Sequence, residues 1–147
     1  MNLRFRVQPT AAHLVFAQAL IAIVAARLAL RSVPVRSLRR TMRRAFTSDK
    51  TLPSGRRLSL NRVIRCVALA ERFSPIATTC LVNALVAEAL ANRHGHDVKF
   101  RVGVRRNELG EFCAHAWLEY EGTVVVGGPA ESTEQYTPLP EAGRLFA

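Results

Sequence analysis

The sequence predicts an α+β fold, with helices first and a small antiparallel sheet after them. Sequence patterns typical of helices dominate the first two thirds of the 147 residues. One stretch there, Cys80 to Ala91, is almost wholly apolar. Later, Glu111 to Tyr120 is an alternating segment that ends at the turn pair Glu121-Gly122, the pattern of a hairpin. We therefore expect one domain, in which a central helix packs on a sheet from about Val98 to Val126.

The start of the chain holds a long apolar stretch. Residues 1–7 alternate like a strand, and an Ala-rich helix then runs from about Ala11 to Arg31. That helix approaches the length of a membrane span, but His13, Gln18 and Arg27 interrupt it. We therefore expect a helix that packs on the core, and membrane association that is at most peripheral.

Residues 1–57 are predicted to form a helical, basic N-terminal part, with a second helix from Arg36 to Phe46. Residues 1–66 hold 14 Lys and Arg against one acid, whereas residues 67–147 hold 7 against 10, so the net charge of +10 comes from the first half. The arginines of the second helix are Arg36, Arg39, Arg40, Arg43 and Arg44. Such a basic surface either only faces water or binds an acidic peptide or protein. We expect no nucleic-acid partner, because no recognised module is present and no aromatic residues lie between the arginines.

Residues 58–147 are predicted to form the core, whose central helix carries the first candidate catalytic residue. A third helix, from Leu58 to about Phe73, precedes it. Thr78 or Thr79 can cap the central helix, which puts Cys80 in its first turn. Free backbone N–H groups and the helix dipole favour a thiolate there, the form of cysteine that acts as a nucleophile. Taken alone, this cysteine is better explained as a small buried hydrophobe.

The hairpin supplies the second candidate, His115. Period-2 spacing places it on one face of its strand with Cys113, Trp117 and Glu119. A cysteine that opens a buried helix, followed by a histidine on a later strand, is the chain order of papain-like and transglutaminase-like thiol enzymes. An isolated histidine on a strand is more often a core residue whose ring nitrogens have hydrogen-bond partners. The pairing with Cys80 is what favours catalysis, with the imidazole as the base and then the acid.

Two segments resemble a known family: Cys80-Leu81 with its helix, and Phe112 to Glu119, which contains Ala-His-Ala-Trp-x-Glu. Over about residues 60–140 the chain resembles the leader peptidase of lasso-peptide biosynthesis, the transglutaminase-like C-terminal half of the B protein, in a split, stand-alone form. The resemblance implies a transglutaminase-like or papain-like core. It implies a cysteine peptidase that removes the leader peptide from a ribosomally made precursor and hands the core peptide to a lasso cyclase. Since the chain is too short for a fused recognition domain, a separate leader-recognition protein is also implied.

The family's usual third catalytic member is an acid just past the strand after the histidine, which the hairpin spacing places near Gly127. Here residues 126–131 read Val-Gly-Gly-Pro-Ala-Glu, without an Asp. Glu131 in the loop and Glu119 on the strand of His115 are the candidates to orient the imidazole, and both are also explained as surface charges. The missing acid supports an alternative class of function, a non-catalytic adaptor that binds peptide or protein through a degenerate thiol-enzyme fold.

Cysteine usage and absent motifs limit the remaining expectations. Cys66, Cys80 and Cys113 are odd in number and far apart, which suits a reducing cytoplasm, and no secretory signal is apparent. No phosphate-binding glycine loop and no Cys-x-x-Cys pair is present, so we expect no cofactor and no metal. The family resemblance still allows leader removal to depend on nucleotide. A metal site of Cys80, Cys113 and His115 would lack a fourth ligand.

Overall fold

In a computed structural model, the chain is described over residues 9–47, 52 and 54–140. Within these ranges five α-helices pack on a four-stranded antiparallel sheet, which confirms the α+β fold predicted from the sequence. The strand predicted over residues 1–7 lies outside the described residues.

The first four helices lie close to their predicted positions. They are α1, Pro9–Ala29; α2, Val35–Thr47; α3, Leu60–Phe73; and α4, Cys80–Arg93, with a short 3-10 turn at Ser54–Arg56. Thr79 caps α4, since its side chain accepts a hydrogen bond from the Val82 N–H at 3.3 Å. Helix α3 begins two residues later than predicted, because Ser59 is extended and the Leu58 carbonyl accepts a hydrogen bond from His96 Nε2 and not from the helix.

Helix α4 runs through the centre of the molecule, as its apolar sequence predicts. All residues from Val82 to Ala91 are buried, and α1, α2, α3 and the sheet pack around them. Leu85 and Leu90 are fully buried, and replacing one such leucine with alanine costs about 2–5 kcal/mol. Because the helix is packed on all sides, its first turn, which contains Cys80, has a fixed position.

The sheet follows α4 in the chain. Its strands are β1, Lys99–Arg106; β2, Phe112–Tyr120; β3, Thr123–Val126; and β4, Thr137–Pro138, arranged in the order β3-β2-β1-β4. Glu121 and Gly122 join β2 to β3 with φ of 49° and 79°, which gives the predicted two-residue hairpin. Strand β4 and a short helix, α5, Ala130–Glu134, were not predicted, because neither is long enough to show a hydrophobic period.

Side chains alternate along β2 as predicted. Ala116 and Leu118 are buried in the hydrophobic core, whereas His115 and Trp117 lie side by side on the other face with ring centroids 6.0 Å apart. The chain after β3 covers that face, since the Tyr136 ring lies 5.1 Å from the His115 ring. One face of the strand therefore holds the fold together, and the other presents the candidate base.

A buried ion pair joins α2 to the central helix. Arg39 donates two hydrogen bonds to Glu88, from Nε to Oε2 at 2.8 Å and from Nη2 to Oε1 at 2.5 Å. The guanidinium also lies 4.7 Å from the centre of the Phe100 ring. The sequence grouped Arg39 with the other arginines of α2 as a possible partner-binding residue. In the structure Arg39 is not part of that surface, because its side chain is buried and its charge compensates that of Glu88 inside the core.

One helix in the described part of the chain, over Ala11–Ala29, is long and apolar enough to cross a membrane when judged by length and composition alone. Val15, Ala19 and Ile23 pack one side of it against α3 and α4, as expected for a packing helix. Its large exposed apolar side chains are Leu14, Ile21 and Leu28. Helix α1 therefore has one packed face and one exposed apolar face.

His94 is buried just after α4, and its pKa lies far from the usual range. The residue is 3 % exposed, its Nδ1 accepts a hydrogen bond from the Leu58 N–H at 3.0 Å, and its Nε2 has no partner among the described residues. Burial, together with the smaller effects of the positive charges of Arg93, His96 and Arg57, lowers the pKa of His94 to about 4. The fold therefore holds a neutral imidazole at pH 7.

We expect the free energy of unfolding to fall as the pH is lowered from 6.5 to about 4. In that window the unfolded chain binds a proton at His94 and the folded chain does not, so at most roughly 3 kcal/mol is lost. His94→Asn keeps an acceptor for the Leu58 N–H and does not titrate in this window. Its urea unfolding curves should therefore shift less with pH than those of the wild type, and equal shifts would contradict this account of His94.

Candidate active site

Cys80 is the first residue of α4 and is half-buried. The Thr79 side chain accepts from the Val82 N–H, and the Asn83 N–H donates to the Thr79 carbonyl at 3.0 Å. The N–H groups of Cys80 and Leu81 make no hydrogen bond within the described chain, as is usual at a helix start. Free donors and the positive end of the helix dipole therefore lie next to a thiol that becomes an anion when it ionises.

His115 lies near the middle of β2, and one hydrogen bond fixes its tautomer. Its Nε2 is 2.6 Å from the carbonyl oxygen of Gly127. A carbonyl oxygen only accepts hydrogen bonds, so Nε2 carries the proton and the lone pair of the neutral ring is on Nδ1. The imidazole is therefore oriented with Nδ1 as its base.

One cavity of about 360 Å³ has both Cys80 and His115 in its wall. The rest of the wall comes from α3, the start of α4 and the end of β3: Ile64, Val67, Ala68, Glu71, Thr78, Thr79, Asn83, Val125, Val126, Gly127 and Gly128. The described structure shows no hydrogen bond between the thiol and the imidazole, a contact that is often loose in thiol enzymes without substrate. The fold brings the two predicted residues to one site, and their catalytic roles stay predictions.

The family of the chain follows from its sequence as a whole. Comparison with known protein families assigns residues 20–141 to the Transglutaminase-like superfamily. The chain belongs to this superfamily. The matched range includes Cys80, His115 and the whole sheet, and the superfamily includes cysteine proteases and transglutaminases. No curated protein and no solved structure is similar enough to count as a match. The transglutaminase-like core predicted from the sequence is therefore confirmed.

Glu119, one of the two candidate acids of this transglutaminase-like core, is engaged by other groups. It accepts hydrogen bonds from Trp117 Nε1 at 2.9 Å and from Arg101 Nε at 3.1 Å. Burial alone would raise the pKa of the Glu119 carboxyl, but these hydrogen bonds and the charges of Arg101 and Lys99 hold it below its usual value. The carboxylate is therefore ionised at neutral pH, and in the described structure it accepts no hydrogen bond from His115.

Gly127 lies where the hairpin spacing places the family's acid. Its φ is 113°, and a Cβ added to it would lie 2.5 Å from the Cβ of Trp117. Glycine is therefore required here, and its carbonyl binds the His115 nitrogen that a carboxylate would otherwise bind. Glu131, the other candidate acid, is exposed in the first turn of α5 and is not bonded to the imidazole in the described chain. An orienting role for Glu131 stays a prediction.

Two aromatic rings flank the His115 imidazole in this superfamily member. The Trp117 ring lies 6.0 Å away at an interplanar angle of 21°, and the Tyr136 ring lies 5.1 Å away at 33°. Gly103 on β1 leaves room for them, because a Cβ added there would lie 2.8 Å from atoms of both side chains. Nothing local in the sequence marks Tyr136 as a neighbour of the site.

The other two cysteines lie outside the cavity wall. Cys113 is half-buried on β2, and Cys66 is buried on α3, where burial raises the pKa of its thiol against the opposing effect of Arg62. Within the described ranges no group of three or more His, Cys, Asp and Glu side chains is placed to hold a metal ion. Cys80, Cys113 and His115 therefore do not assemble the metal site considered from the sequence.

Proposed function

We propose that this protein is a cytoplasmic cysteine peptidase that removes the leader from a ribosomally made lasso-peptide precursor and passes the core peptide to a lasso cyclase. The observation that carries the proposal is the cavity that Cys80, at a helix start, shares with His115, whose base is Nδ1. The superfamily match supports the thiol chemistry. The resemblance of Cys80-Leu81 and of the Phe112–Glu119 segment to lasso leader peptidases supports the choice of substrate.

The proposed reaction is amide hydrolysis in two stages. In the first, His115 Nδ1 takes the thiol proton, Cys80 Sγ attacks the scissile carbonyl carbon, and Nδ1 then protonates the amine of the departing core peptide. The leader is left as a thioester on Cys80. In the second stage Nδ1 deprotonates a water that attacks the thioester, which releases the leader carboxylate and restores the thiol. The Gly127 carbonyl accepts from Nε2–H throughout and so stabilises the imidazolium.

The walls of the cavity favour an apolar substrate side chain beside the scissile bond. Their apolar residues are Ile64, Val67, Ala68, Val125 and Val126. A volume of about 360 Å³ holds a few residues and not a whole leader peptide, so most of the leader must bind elsewhere. That requirement supports a separate leader-recognition protein as the partner.

A groove between α1 and α2 is the proposed docking surface for that protein. The groove has a volume of about 340 Å³, and its lining, which includes Ile21, Leu38 and Met42, carries no charged residue. Along α1, exposed Leu14 and Leu28 lie seven residues on either side of Ile21. Apolar side chains at this spacing suit a second helix that packs along the first.

The arginines of α2 indicate the charge of the docked helix. Those exposed on α2 are Arg36, Arg40, Arg43 and Arg44. Acidic side chains beside the apolar stripe of a partner helix would complement them. We therefore propose that the leader-recognition protein docks through a helix with an apolar stripe and acidic flanks.

Ile21→Glu is expected to weaken binding to the leader-recognition protein by tenfold or more, because it places a carboxylate in the middle of the apolar stripe. Leu109→Glu is the matched control, since Leu109 is also a large, exposed apolar side chain but lies on the β1–β2 turn and does not line the groove. Association measured by calorimetry should show the loss for the first variant alone. Unchanged affinity of Ile21→Glu would exclude the groove as the docking surface.

The peptidase proposal is tested by incubating the purified protein with the precursor and the recognition protein and identifying the products by mass spectrometry. Separate leader and core peptides are the expected products. Binding of the precursor without cleavage would instead support the adaptor function. That second candidate is favoured by one observation, the lack of a carboxylate bonded to His115 in the described structure.

A further inference from the structure

Asn83 places a polar amide inside the apolar helix α4. It is 7 % exposed and lines the cavity three residues after Cys80, a spacing that puts the two side chains on one face of the helix. Its Oδ1 accepts a hydrogen bond from Thr78 Oγ1 at 2.7 Å, whereas its Nδ2 has no hydrogen bond in the described chain. A donor that belongs to a buried side chain, lines the cavity and makes no hydrogen bond within the described chain is available to a ligand there.

The other polar side chains of the wall already have roles. Thr78 donates to Asn83, and the Thr79 hydroxyl caps α4. His115 is the proposed base, and Glu71 carries a negative charge that would repel an anion. The remaining wall side chains, apart from Cys80, are apolar. Asn83 is also the buried polar side chain of this wall, so it is the donor with a fixed position that the cavity offers to a developing negative charge.

We propose that Asn83 Nδ2 and the Cys80 backbone N–H together form the oxyanion hole of this site, with Thr78 as the residue that positions the amide. The inference rests on the proposed thiol chemistry and names the second donor for it. When Cys80 attacks a carbonyl, the S–C bond forms and the C=O π pair moves to the oxygen, which then needs hydrogen-bond donors. Because Thr78 donates to Oδ1, the NH₂ group of Asn83 is turned away from Thr78 and remains available to that oxygen.

A small aldehyde tests the hole without the natural precursor. N-acetyl-leucinal adds to the Cys80 thiol: an S–C bond forms, the carbonyl π pair moves to oxygen, and that oxygen takes the thiol proton. The resulting hemithioacetal places its oxygen where the oxyanion would be. Iodoacetamide reacts with the same thiol by displacing iodide from a saturated carbon, so it creates no negative oxygen. The two reagents therefore separate the oxyanion donor from the nucleophile.

Asn83→Leu is the main test variant, since it removes the amide and keeps a branched side chain of similar shape. We expect its affinity for N-acetyl-leucinal to fall by roughly 100-fold, the usual effect of losing one oxyanion donor, while alkylation of Cys80 by iodoacetamide stays within about twofold of the wild type. Thr78→Val loses only the orienting hydroxyl, so we expect a smaller fall, roughly tenfold. The Thr78→Val variant keeps the proposal testable if Asn83→Leu does not fold. Asn92→Leu makes the same change at the far end of α4 and serves as the control.

Carbon-13 NMR of aldehyde labelled at its carbonyl carbon reports hemithioacetal formation and its affinity. Equal affinity in the wild type, Asn83→Leu and Thr78→Val would overturn the assignment of Asn83 and leave Cys80 as the nucleophile. If wild-type Cys80 neither forms the hemithioacetal nor is alkylated, the proposed function itself is wrong. The two failures therefore have different signatures.

Discussion

Leader cleavage is expected to fall by roughly 10⁴-fold or more when either Cys80 or His115 is replaced with alanine. The thiol supplies the attacking atom, and Nδ1 of the imidazole moves the proton at each stage. Because the two act as a unit, the double variant should be little slower than either single variant. Neither residue belongs to the hydrophobic core, so circular dichroism should show folded proteins. The rate is measured as core peptide released, by mass spectrometry.

Cys113 provides the internal control for this result. It lies on the same strand as His115 but not at a helix start and not in the cavity wall. Cys113→Ala should therefore keep most of the activity. Substantial turnover by a folded Cys80→Ala protein would contradict the proposed mechanism.

The largest loss of stability is expected from breaking the Arg39–Glu88 pair. Glu88→Leu leaves the guanidinium buried without its carboxylate, which costs about 3–5 kcal/mol. The double variant Arg39→Met/Glu88→Leu removes both charges, and apolar side chains of similar size fill the same space. We therefore expect it to recover most of the free energy of unfolding lost in Glu88→Leu, as measured by urea denaturation.

The exposed pair of Arg101 and Glu119 is the control for burial. Its side chains are 44 % and 25 % exposed, so water and salt screen the interaction. Arg101→Met should lower the free energy of unfolding by less than about 1 kcal/mol. If Glu88→Leu lowers the free energy of unfolding by no more than Arg101→Met does, the buried ion pair does not stabilise the contact between α2 and α4.

The central helix and the hairpin could be predicted because each depends on neighbouring residues. A stretch from Val82 to Ala91 that is apolar except for Asn83 and Glu88, with a threonine cap before it, predicts a buried helix. Glu121-Gly122 suits a turn with two positive φ angles. Cys80 and His115 could be named as candidate catalytic residues from their places in these two elements, and the resemblance carried by the same segments implied the transglutaminase-like core.

The surroundings of these residues could not be predicted, because they come from distant or backbone groups. Arg39 and Glu88 are 49 residues apart, and no local pattern pairs them. The acceptor for His115 is a carbonyl, which every residue has, so no residue type marks Gly127 for this role. Asn83 did carry a signal, an amide in an apolar helix one turn after the candidate nucleophile, but its free donor is visible only in the fold.

Competition among the three cysteines for iodoacetamide near pH 7 tests the central claim most directly. Wild-type protein is treated with limiting reagent, digested, and analysed by mass spectrometry for the labelled fraction of each cysteine. We predict that Cys80 is labelled first and Cys66 last, because burial raises the pKa of the Cys66 thiol, and that His115→Ala slows the labelling of Cys80. Labelling of Cys113 or Cys66 ahead of Cys80 would contradict the assignment of Cys80 as an activated nucleophile.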